Sequence, residues 1–218
     1  MSKIVIRPGR KEDVEQVYVF MNEQKETLPY LGGFSSKGQY EGYFVKGNEL
    51  SDRNLVAVDG DEVVGCSLSK DRGHYTEQDY NAVIVDRRRE GIGSHLYMAH
   101  RWRSMLEGKL FIHDQIIDFN PHMPFFLDFL NFDRISHIRQ KIRNFSGLYH
   151  YRYDLLEEEL AKNTFKSDKF EIQMEEREFY EKSFTTNIAK LSKRDGDEKR
   201  VGLLYRNREL ARSGEWAL

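Results

Sequence analysis

Apolar positions recur with two periods along the chain, and each period predicts one kind of element. Short apolar runs predict strands near residues 4–8, 54–58, 63–68, 79–85, 110–117 and 149–153. Apolar residues three or four positions apart predict helices from about residue 13, after residue 91, before residue 131 and in two stretches beyond residue 178. Helices and strands are interspersed, with three strands in succession over residues 54–85, and together they predict a fold of the α/β class.

The predicted helix after residue 91 has the clearest amphipathic pattern. Its apolar stripe consists of Ile92, Leu96, Ala99, Trp102 and Leu106. Gly108 follows as a natural helix-ending residue, because glycine enters the left-handed backbone region without strain. Arg101 and Arg103 lie on the opposite side, and we expect them to form a solvated face.

Composition limits the classes of protein to consider. The chain has 218 residues, 39% of them hydrophobic and 32% charged, with a net charge of −2. A charge so near zero does not favour a protein that binds nucleic acid over its whole surface. Cys66, the single cysteine, excludes an intramolecular disulfide and is expected in the core. No apolar run approaches the roughly 20 residues of a membrane span, so we expect a cytoplasmic protein without membrane contact.

The stretch from Val83 to Leu96 combines an apolar run, three arginines and two glycines immediately before a helix. Gly91 and Gly93 permit close approach to the backbone, and a helix start presents unpaired N–H groups with partial positive charge. The pattern therefore fits a cradle for an anion such as phosphate. A solvated basic turn before the helix explains the same residues equally well.

The sequence Arg88-x-x-Gly91-x-Gly93 resembles the pyrophosphate loop of the GNAT acyltransferases, which reads Arg/Gln-x-x-Gly-x-Gly/Ala. Asn120 and the run Phe126-Leu127-Asp128-Phe129-Leu130-Asn131-Phe132 resemble a second GNAT pattern, Asn before the last helix and a Phe-Tyr-x-x-x-Gly-Phe ending. The resemblance implies a mixed, mostly antiparallel central sheet flanked by helices. It implies a catalytic domain over residues 1–154, with residues 155–218 as a helical C-terminal extension.

The resemblance also implies a reaction, the transfer of an acyl group, acetyl by default, from acyl-CoA to a primary amine by direct attack in a ternary complex. Acetyl-CoA is then a co-substrate, and no metal is expected. The backbone of Val83 and Val85 would pair with pantetheine at a splayed part of the sheet. The other residues implied to bind the cofactor are Arg88, Arg89, Glu90, Gly91, Ile92, Gly93, Ser94 and Asn120.

Two carboxylates are the candidates for the base that takes the proton of the amine. Glu77 falls where some GNAT proteins keep a glutamate, and Asp79 shares its strand face by the two-residue period. Both would also fit a merely solvated strand end. Leu127 occupies the position of the usual tyrosine acid and cannot donate a proton, which leaves the acid unassigned and a non-catalytic CoA-binding module as an alternative function.

The acceptor is not identified by the sequence. A small molecule or a peptide with a free amine fits the reaction. Arg139, Lys141 and Arg143 stand among tyrosines in a stretch without acidic residues, which also fits a nucleic acid or another polyanion, although alternating tyrosines on a final strand explain the stretch more simply. The apolar stripes after residue 178 need a partner, either this chain, the acceptor side or a second subunit in a homodimer.

Overall fold

The computed structural model describes residues 3–23, 38, 54–117, 122–130, 132–138, 148–155, 168–173, 178–195 and 198–213. These residues form eight strands. The strands are β1 (Ile4–Pro8), β2 (Leu55–Asp59), β3 (Glu62–Asp71), β4 (Tyr75–Val83), β5 (Phe111–Ile117), β6 (Asp133–Ile138), β7 (Leu148–Asp154) and β8 (Phe170–Ile172).

The same residues form five α-helices and a short 3₁₀ turn over Val85–Arg87. The helices are α1 (Asp13–Glu23), α2 (Ile92–Leu106), α3 (Met123–Phe129), α4 (Glu178–Asp195) and α5 (Glu198–Ser213). None of the helices in the described ranges combines the length and the apolar character that crossing a membrane requires.

The strands form one mixed sheet in the order β6-β7-β5-β4-β3-β2-β1-β8. The pairs β1 with β2, β2 with β3, β5 with β7 and β6 with β7 are antiparallel. The pairs β4 with β5 and β1 with β8 are parallel. The predicted α/β architecture, with its mostly antiparallel sheet, is therefore confirmed.

The chain folds into two compact units, each assembled from separate segments. The first contains Met1–Ser69, Tyr80–His100 and Lys166–Glu175, and the second contains Lys70–Asp79, Arg101–Phe165 and Glu176–Leu218. These units do not follow the predicted boundary at residue 154, and a separate catalytic domain over 1–154 stays a prediction.

Within the first unit, alternate residues of β2 pack into two different hydrophobic clusters. Val56 packs with α1, in a cluster that includes Val17 and the buried Cys66. Its neighbours Leu55 and Ala57 pack with Ile92, Leu96 and Ala99 of α2. The two-residue period of a strand thus places one helix on each face of this part of the sheet. Burial raises the pKa of the Cys66 thiol, which fits the predicted core role.

Strand β4 differs from its prediction in both of its bounds. It runs over Tyr75–Val83 rather than 79–85, because β3 continues to Asp71 and only three residues join the two strands. The N–H of Arg72 donates to the carbonyl of Tyr75 at 3.0 Å, which closes this tight turn. The polar residues in this region are typical of a longer loop, which is why β4 was predicted to begin later. A strand with one solvated face also accepts polar residues.

The prediction that Arg101 and Arg103 form a solvated face was wrong. Their exposed fractions are 0% and 1%. The guanidinium of Arg101 lies 3.7 Å from the ring centre of Tyr153, and Arg103 forms an ion pair with buried Glu107 at 3.4 Å. The second unit therefore buries these cations against an aromatic ring and a carboxylate, as a buried charge requires.

The helices of the C-terminal segment bury their apolar stripe within the second unit. Phe184, Leu191 and Leu204 form a cluster there. The side chain of Asn187 donates to the carbonyl of Glu107 at 2.9 Å, and Trp102 Nε1 donates to the carbonyl of Ala211 at 2.6 Å. The chain itself thus supplies a partner for the stripe, and homodimer formation stays a prediction.

Gly108 ends α2 as predicted, in the left-handed region at φ 64°. Lys109 N–H donates to the carbonyl of Ser104 at 2.9 Å and Gly108 N–H to that of Met105 at 3.1 Å, which is the Schellman arrangement. A Cβ atom on Gly108 would lie 2.7 Å from Cδ2 of Phe184, whose ring is 2% exposed. Both the conformation and the packing therefore require glycine here.

We expect Gly108→Ala to lower the free energy of unfolding by about 3 kcal/mol, since left-handed strain and overpacking both contribute. Gly60→Ala is the matched control, because Gly60 has φ 62° and nothing lies within 4 Å of the methyl group that alanine would add. The control should lose only about 1 kcal/mol from strain. Urea denaturation of both variants measures the difference, and equal losses would show that Phe184 does not restrict this position.

Candidate functional site

The connection from β4 to α2 is a compact turn in the first unit. After the 3₁₀ turn, Arg89 and Gly91 adopt left-handed backbone angles, φ 67° and 91°. A Cβ atom on Gly91 would lie 3.6 Å from its nearest neighbours, which is an ordinary contact distance. Gly91 is therefore required for its backbone angle rather than for lack of space.

The turn leaves a run of main-chain N–H groups without backbone partners. Within the described part of the chain, the N–H groups from Arg89 to Ser94 donate no backbone hydrogen bond, and the first that does is His95, to the carbonyl of Gly91 at 3.1 Å. Three of these groups belong to the first turn of α2, where the helix dipole adds positive potential. These N–H groups are available to an anion or to water, so the anion cradle stays a prediction.

Ion pairs organise the charges around the turn. Arg87 holds Asp59 and Glu90, each at 2.9 Å, so this arginine is engaged within the protein. Lys169 also reaches Glu90 at 2.6 Å. Hydrogen bonds from Arg87 and then Lys169 lower the pKa of the Glu90 carboxyl. The carboxylate of Glu90 is thereby held by two cations, which reduces its repulsion of a bound anion.

An aromatic stack supports the turn from the side of β8. The rings of His95 and Phe170 are stacked with centroids 3.8 Å apart and an interplanar angle of 16°. The ring of His95 also contacts the Gly91 carbonyl through Nδ1 at 2.8 Å. Strand β8 is fixed in turn by its parallel pairing with β1. His95 therefore supports the left-handed conformation of Gly91, and Phe170, which packs on His95, lies outside the predicted catalytic domain.

The predicted base candidates lie on β4 in the second unit, and both form ion pairs. Glu77 accepts from Arg72 Nε at 3.0 Å and from Arg72 Nη2 at 3.1 Å. Asp79 lies 2.5 Å from Nζ of Lys70. The hydrogen bonds from Arg72 lower the pKa of the Glu77 carboxyl, with burial acting in the opposite direction. Glu77 is thus a weaker proton acceptor than an ordinary glutamate.

The structure also brings together two histidines that the sequence analysis did not pair. Nε2 of His113 on β5 lies 3.0 Å from Nδ1 of His150 on β7, and their rings are stacked at 15°. Glu77 is the register neighbour of His113 on the adjacent parallel strand. The face that His113 shares with Glu77 depends on the pairing of β4 with β5, and its contact with His150 depends on the pairing of β5 with β7. Neither register is visible in the sequence.

The remaining predicted residues have mixed outcomes. Val83 is the last residue of β4, whereas Val85 lies in the 3₁₀ turn beyond the strand and is exposed. The parallel pairing of β4 with β5 covers Tyr75–Gln78 and Phe111–Asp114, so β4 continues beyond it. Asn120, Asn131, Arg139, Lys141 and Arg143 lie outside the described residues.

The similarity to known proteins is one of structure. The sequence matches no family model and no curated protein. An N-acetyltransferase from Staphylococcus aureus Mu50 is 18% identical with a TM-score of 0.62, over 70% of this chain and 99% of that one. A ribosomal-protein-alanine N-acetyltransferase from Brucella melitensis is 18% identical with a TM-score of 0.60, over 68% and 98%. The NatC complex bound to Gag peptide and CoA contains a chain 16% identical with a TM-score of 0.58, over 70% and 98%.

The chain has the GNAT fold. At these identities the likeness concerns the fold, and part of this chain lies outside the matched region. The GNAT-like fold that the resemblance implied is therefore confirmed, and the roles of the motif residues stay predictions.

One departure from the GNAT motif has a structural explanation. Leu127, at the position of the usual tyrosine, lies on α3 with an exposed fraction of 0%. The N–H of Phe132 donates to its carbonyl at 2.9 Å, which joins the end of α3 to β6. A fully buried leucine at this position has a packing role and cannot supply a proton.

Among the described residues, no three His, Cys, Asp or Glu side chains are grouped as a metal ion would require, and the absence of a metal stays a prediction.

We expect Arg72→Gln to raise the pKa of Glu77 towards its ordinary value, since the Arg72 hydrogen bond is the main cause of the lowering. A lowered carboxyl pKa stabilises the fold above the unfolded-state pKa, and this stabilisation is lost as pH falls through the lower folded-state pKa. The stability difference between parent and variant should therefore disappear in acid. Carbon NMR titration of the glutamate carboxyl measures the pKa directly.

Lys70→Gln is the control for this variant, because Lys70 acts on Glu77 through charge alone and more weakly than Arg72. It should raise the pKa of Glu77 less than Arg72→Gln does. An equal rise in both variants would mean that general charge, and not the hydrogen bonds of Arg72, sets this pKa.

Proposed function

We propose that the protein is an acyl-CoA-dependent N-acyltransferase that transfers acetyl from acetyl-CoA to a primary amine by direct attack in a ternary complex. The observation that carries this proposal is the run of N–H groups without backbone partners from Arg89 to Ser94 within a GNAT fold. Structural neighbours of this fold are acetyltransferases, and one of them is a complex that contains CoA.

The loop has the hydrogen-bond donors and the positive charge that would bind the pyrophosphate of CoA. The N–H groups of Glu90, Gly91, Ile92, Gly93 and Ser94 supply donors, and Arg88 and Arg89 supply formal positive charge. Arg87 and Lys169 neutralise Glu90, the only carboxylate between Arg88 and Ser94. When bound, acetyl-CoA would supply the activated acetyl group, and the protein's part is to hold and orient it.

Other roles follow from the GNAT resemblance and are part of the proposal. The backbone of Val83, the last residue of β4, and of Val85, in the 3₁₀ turn beyond it, would bind the pantetheine amides. Asn120 would bind CoA near the start of α3. Glu77 or Asp79 would take the proton of the amine, directly or through water. The acceptor would be a small molecule or a peptide, and the site is proposed to need no metal.

The proposal is tested by calorimetric titration with acetyl-CoA and by a transfer assay on a panel of amines. The panel contains spermidine, tyramine, kanamycin and an alanine-initiated peptide with a free amino group. Binding together with transfer supports the enzyme. Binding without transfer to any amine would identify a CoA-binding module instead, and the absence of binding would overturn the assignment of the loop.

We expect Gly93→Glu to raise the Kd for acetyl-CoA by about 100-fold or more, since it adds negative charge where the phosphates would bind. A glutamate in the first turn favours the helix itself, so the fold should be retained. Gly202→Glu on α5 is the matched control, because nothing lies within 4 Å of the added Cβ. Unchanged affinity in Gly93→Glu would show that the turn is only a solvated helix start.

A further inference from the structure

The first unit contains a cavity of about 530 Å³ to which the proposed function assigns no ligand. One face of α1, the start of β3 and residues 84–86 line it, and every described residue of this lining belongs to the first unit. A volume of this size is typical of a pocket for a small organic molecule.

Gln16 joins two walls of the cavity to each other. Its side-chain amide donates to the carbonyl of Asp61 at 3.0 Å, and its Oε1 accepts from the N–H of Val63 at 2.8 Å. Both ends of the amide therefore hold α1 against the hairpin of β2 and β3. Phe20 and Val63, which are 5% and 3% exposed, are the buried part of the lining and belong to the core cluster of α1. The cavity is therefore part of the folded unit rather than a gap between loose segments.

Two apolar side chains of the lining are exposed. Val19 on α1 is 45% exposed, and Val85 in the 3₁₀ turn is 51% exposed. Because both line a concave surface, a molecule in the cavity would remove apolar area from water at each of them. The lining therefore favours a ligand that has an apolar segment.

The charged residues of the lining are all acidic. They are Glu15, Glu23, Glu62 and Asp86, and no described Lys, Arg or His lines the cavity. All four side chains are exposed to solvent and carry negative charge near pH 7. The electrostatic potential of the cavity therefore complements a cationic ligand.

Ion pairing within the chain does not neutralise this charge. The carboxylates of Glu23, Glu62 and Asp86 form no ion pair in the described part of the chain. Asp59 and Glu90 of the same unit differ, since Arg87 holds each of them at 2.9 Å. Like charges around one cavity repel one another, and a bound cation would relieve that repulsion.

The placement of the carboxylates favours an extended cation over a metal ion. Among the described residues, no three His, Cys, Asp or Glu side chains are grouped as one metal ion would require. The charges are therefore distributed around the cavity, and Val19 and Val85 line it with them. A matching ligand carries two or more ammonium groups joined by methylene segments, since such segments pack on apolar side chains while the charges stay at the rim.

We propose that this cavity binds an aliphatic di- or polyamine. Its ammonium groups pair with carboxylates of the lining, among them Glu62 and Asp86, and its methylene groups cover Val19 and Val85. The inference goes beyond the proposed function, because it assigns a ligand to the cavity whether or not that amine accepts an acetyl group.

The first test is calorimetric titration of the parent protein, without acetyl-CoA, with spermidine, cadaverine, pentylamine and Mg²⁺. Pentylamine has the apolar segment of cadaverine and a single charge, whereas Mg²⁺ has the charge of cadaverine and no apolar segment. We expect spermidine to bind with a Kd of about 1 mM or below. Cadaverine should bind about fivefold more tightly than either pentylamine or Mg²⁺, since only cadaverine uses both the charges and the apolar side chains.

The second test compares two double variants that lose the same charge. Glu62→Gln with Asp86→Asn removes two carboxylates of the lining and should raise the Kd for spermidine by about fivefold or more. Glu12→Gln with Asp61→Asn is the matched control, because it removes two exposed carboxylates of the same unit that do not line the cavity. The control should change the Kd by less than about twofold, since solvent and salt screen charges outside the cavity.

Val19→Lys places a cation in the lining at an exposed helix position and should raise the Kd for spermidine by about tenfold or more. Far-ultraviolet circular dichroism verifies the fold of every variant. The comparison of ligands on the parent needs no substitution, so it decides the matter if a variant does not fold.

A parent Kd for spermidine above about 10 mM, equal Kd values for cadaverine and Mg²⁺, or equal rises in the two double variants would overturn the inference. Each of these results leaves the acyltransferase proposal standing, because acetyl-CoA is absent from the titrations. Conversely, a protein that binds spermidine as expected but does not bind acetyl-CoA would overturn the acyltransferase proposal and support the polyamine site.

Discussion

The peptide groups between β4 and α2 must leave an extended strand and enter a helix within eight residues. Left-handed angles at Arg89 and Gly91 make this possible. The consequence is a run of N–H groups from Arg89 to Ser94 without backbone partners, concentrated where the dipole of α2 is positive. Much of the surrounding chemistry follows from this one constraint, since donors of this kind favour an anionic partner or water.

The charged side chains around the turn form ion pairs with one another. Arg87 is tied to Asp59 and Glu90, so the sequence run of three arginines overstates the cationic groups available to a ligand. The same rule operates on β4, where Arg72 and Lys70 hold the two carboxylates predicted as bases. A group fixed in an ion pair resists a change of charge, because the change also costs the interaction with its partner.

Local patterns in the sequence were sufficient for the elements that are locally determined. Helix α2, its end at Gly108 and the hairpin of β2 and β3 were predicted because their periods and turn residues lie close together in sequence. Strands β6 and β8 were not predicted. Strand β8 has three residues, and its pairing partner β1 lies more than 160 positions earlier in the chain, so no local pattern identifies it.

Side-chain environments were harder to predict than backbone elements. Arg101 and Arg103 resemble a solvated helix face by composition, but an aromatic ring and a carboxylate from the tertiary fold bury them. The turn before α2 was predicted as a pyrophosphate loop from its motif, whereas the pairing of Glu77 with Arg72 depends on a tight turn whose polar residues are equally typical of a longer connection. The contact between His113 and His150 depends on the register of β5 with β7, which only the assembled sheet determines.

The segment after residue 154 has two separate structural roles that composition alone did not indicate. In the first unit, β8 extends the sheet beside β1 and carries Phe170 onto His95 and Lys169 onto Glu90. In the second unit, α4 packs Phe184 against Gly108, at the end of α2. The start of α2 and its end are thus each contacted by residues from the last third of the chain. Since the start of α2 forms the proposed cofactor loop, this C-terminal segment contributes to the loop's conformation and is more than an appendage to the fold.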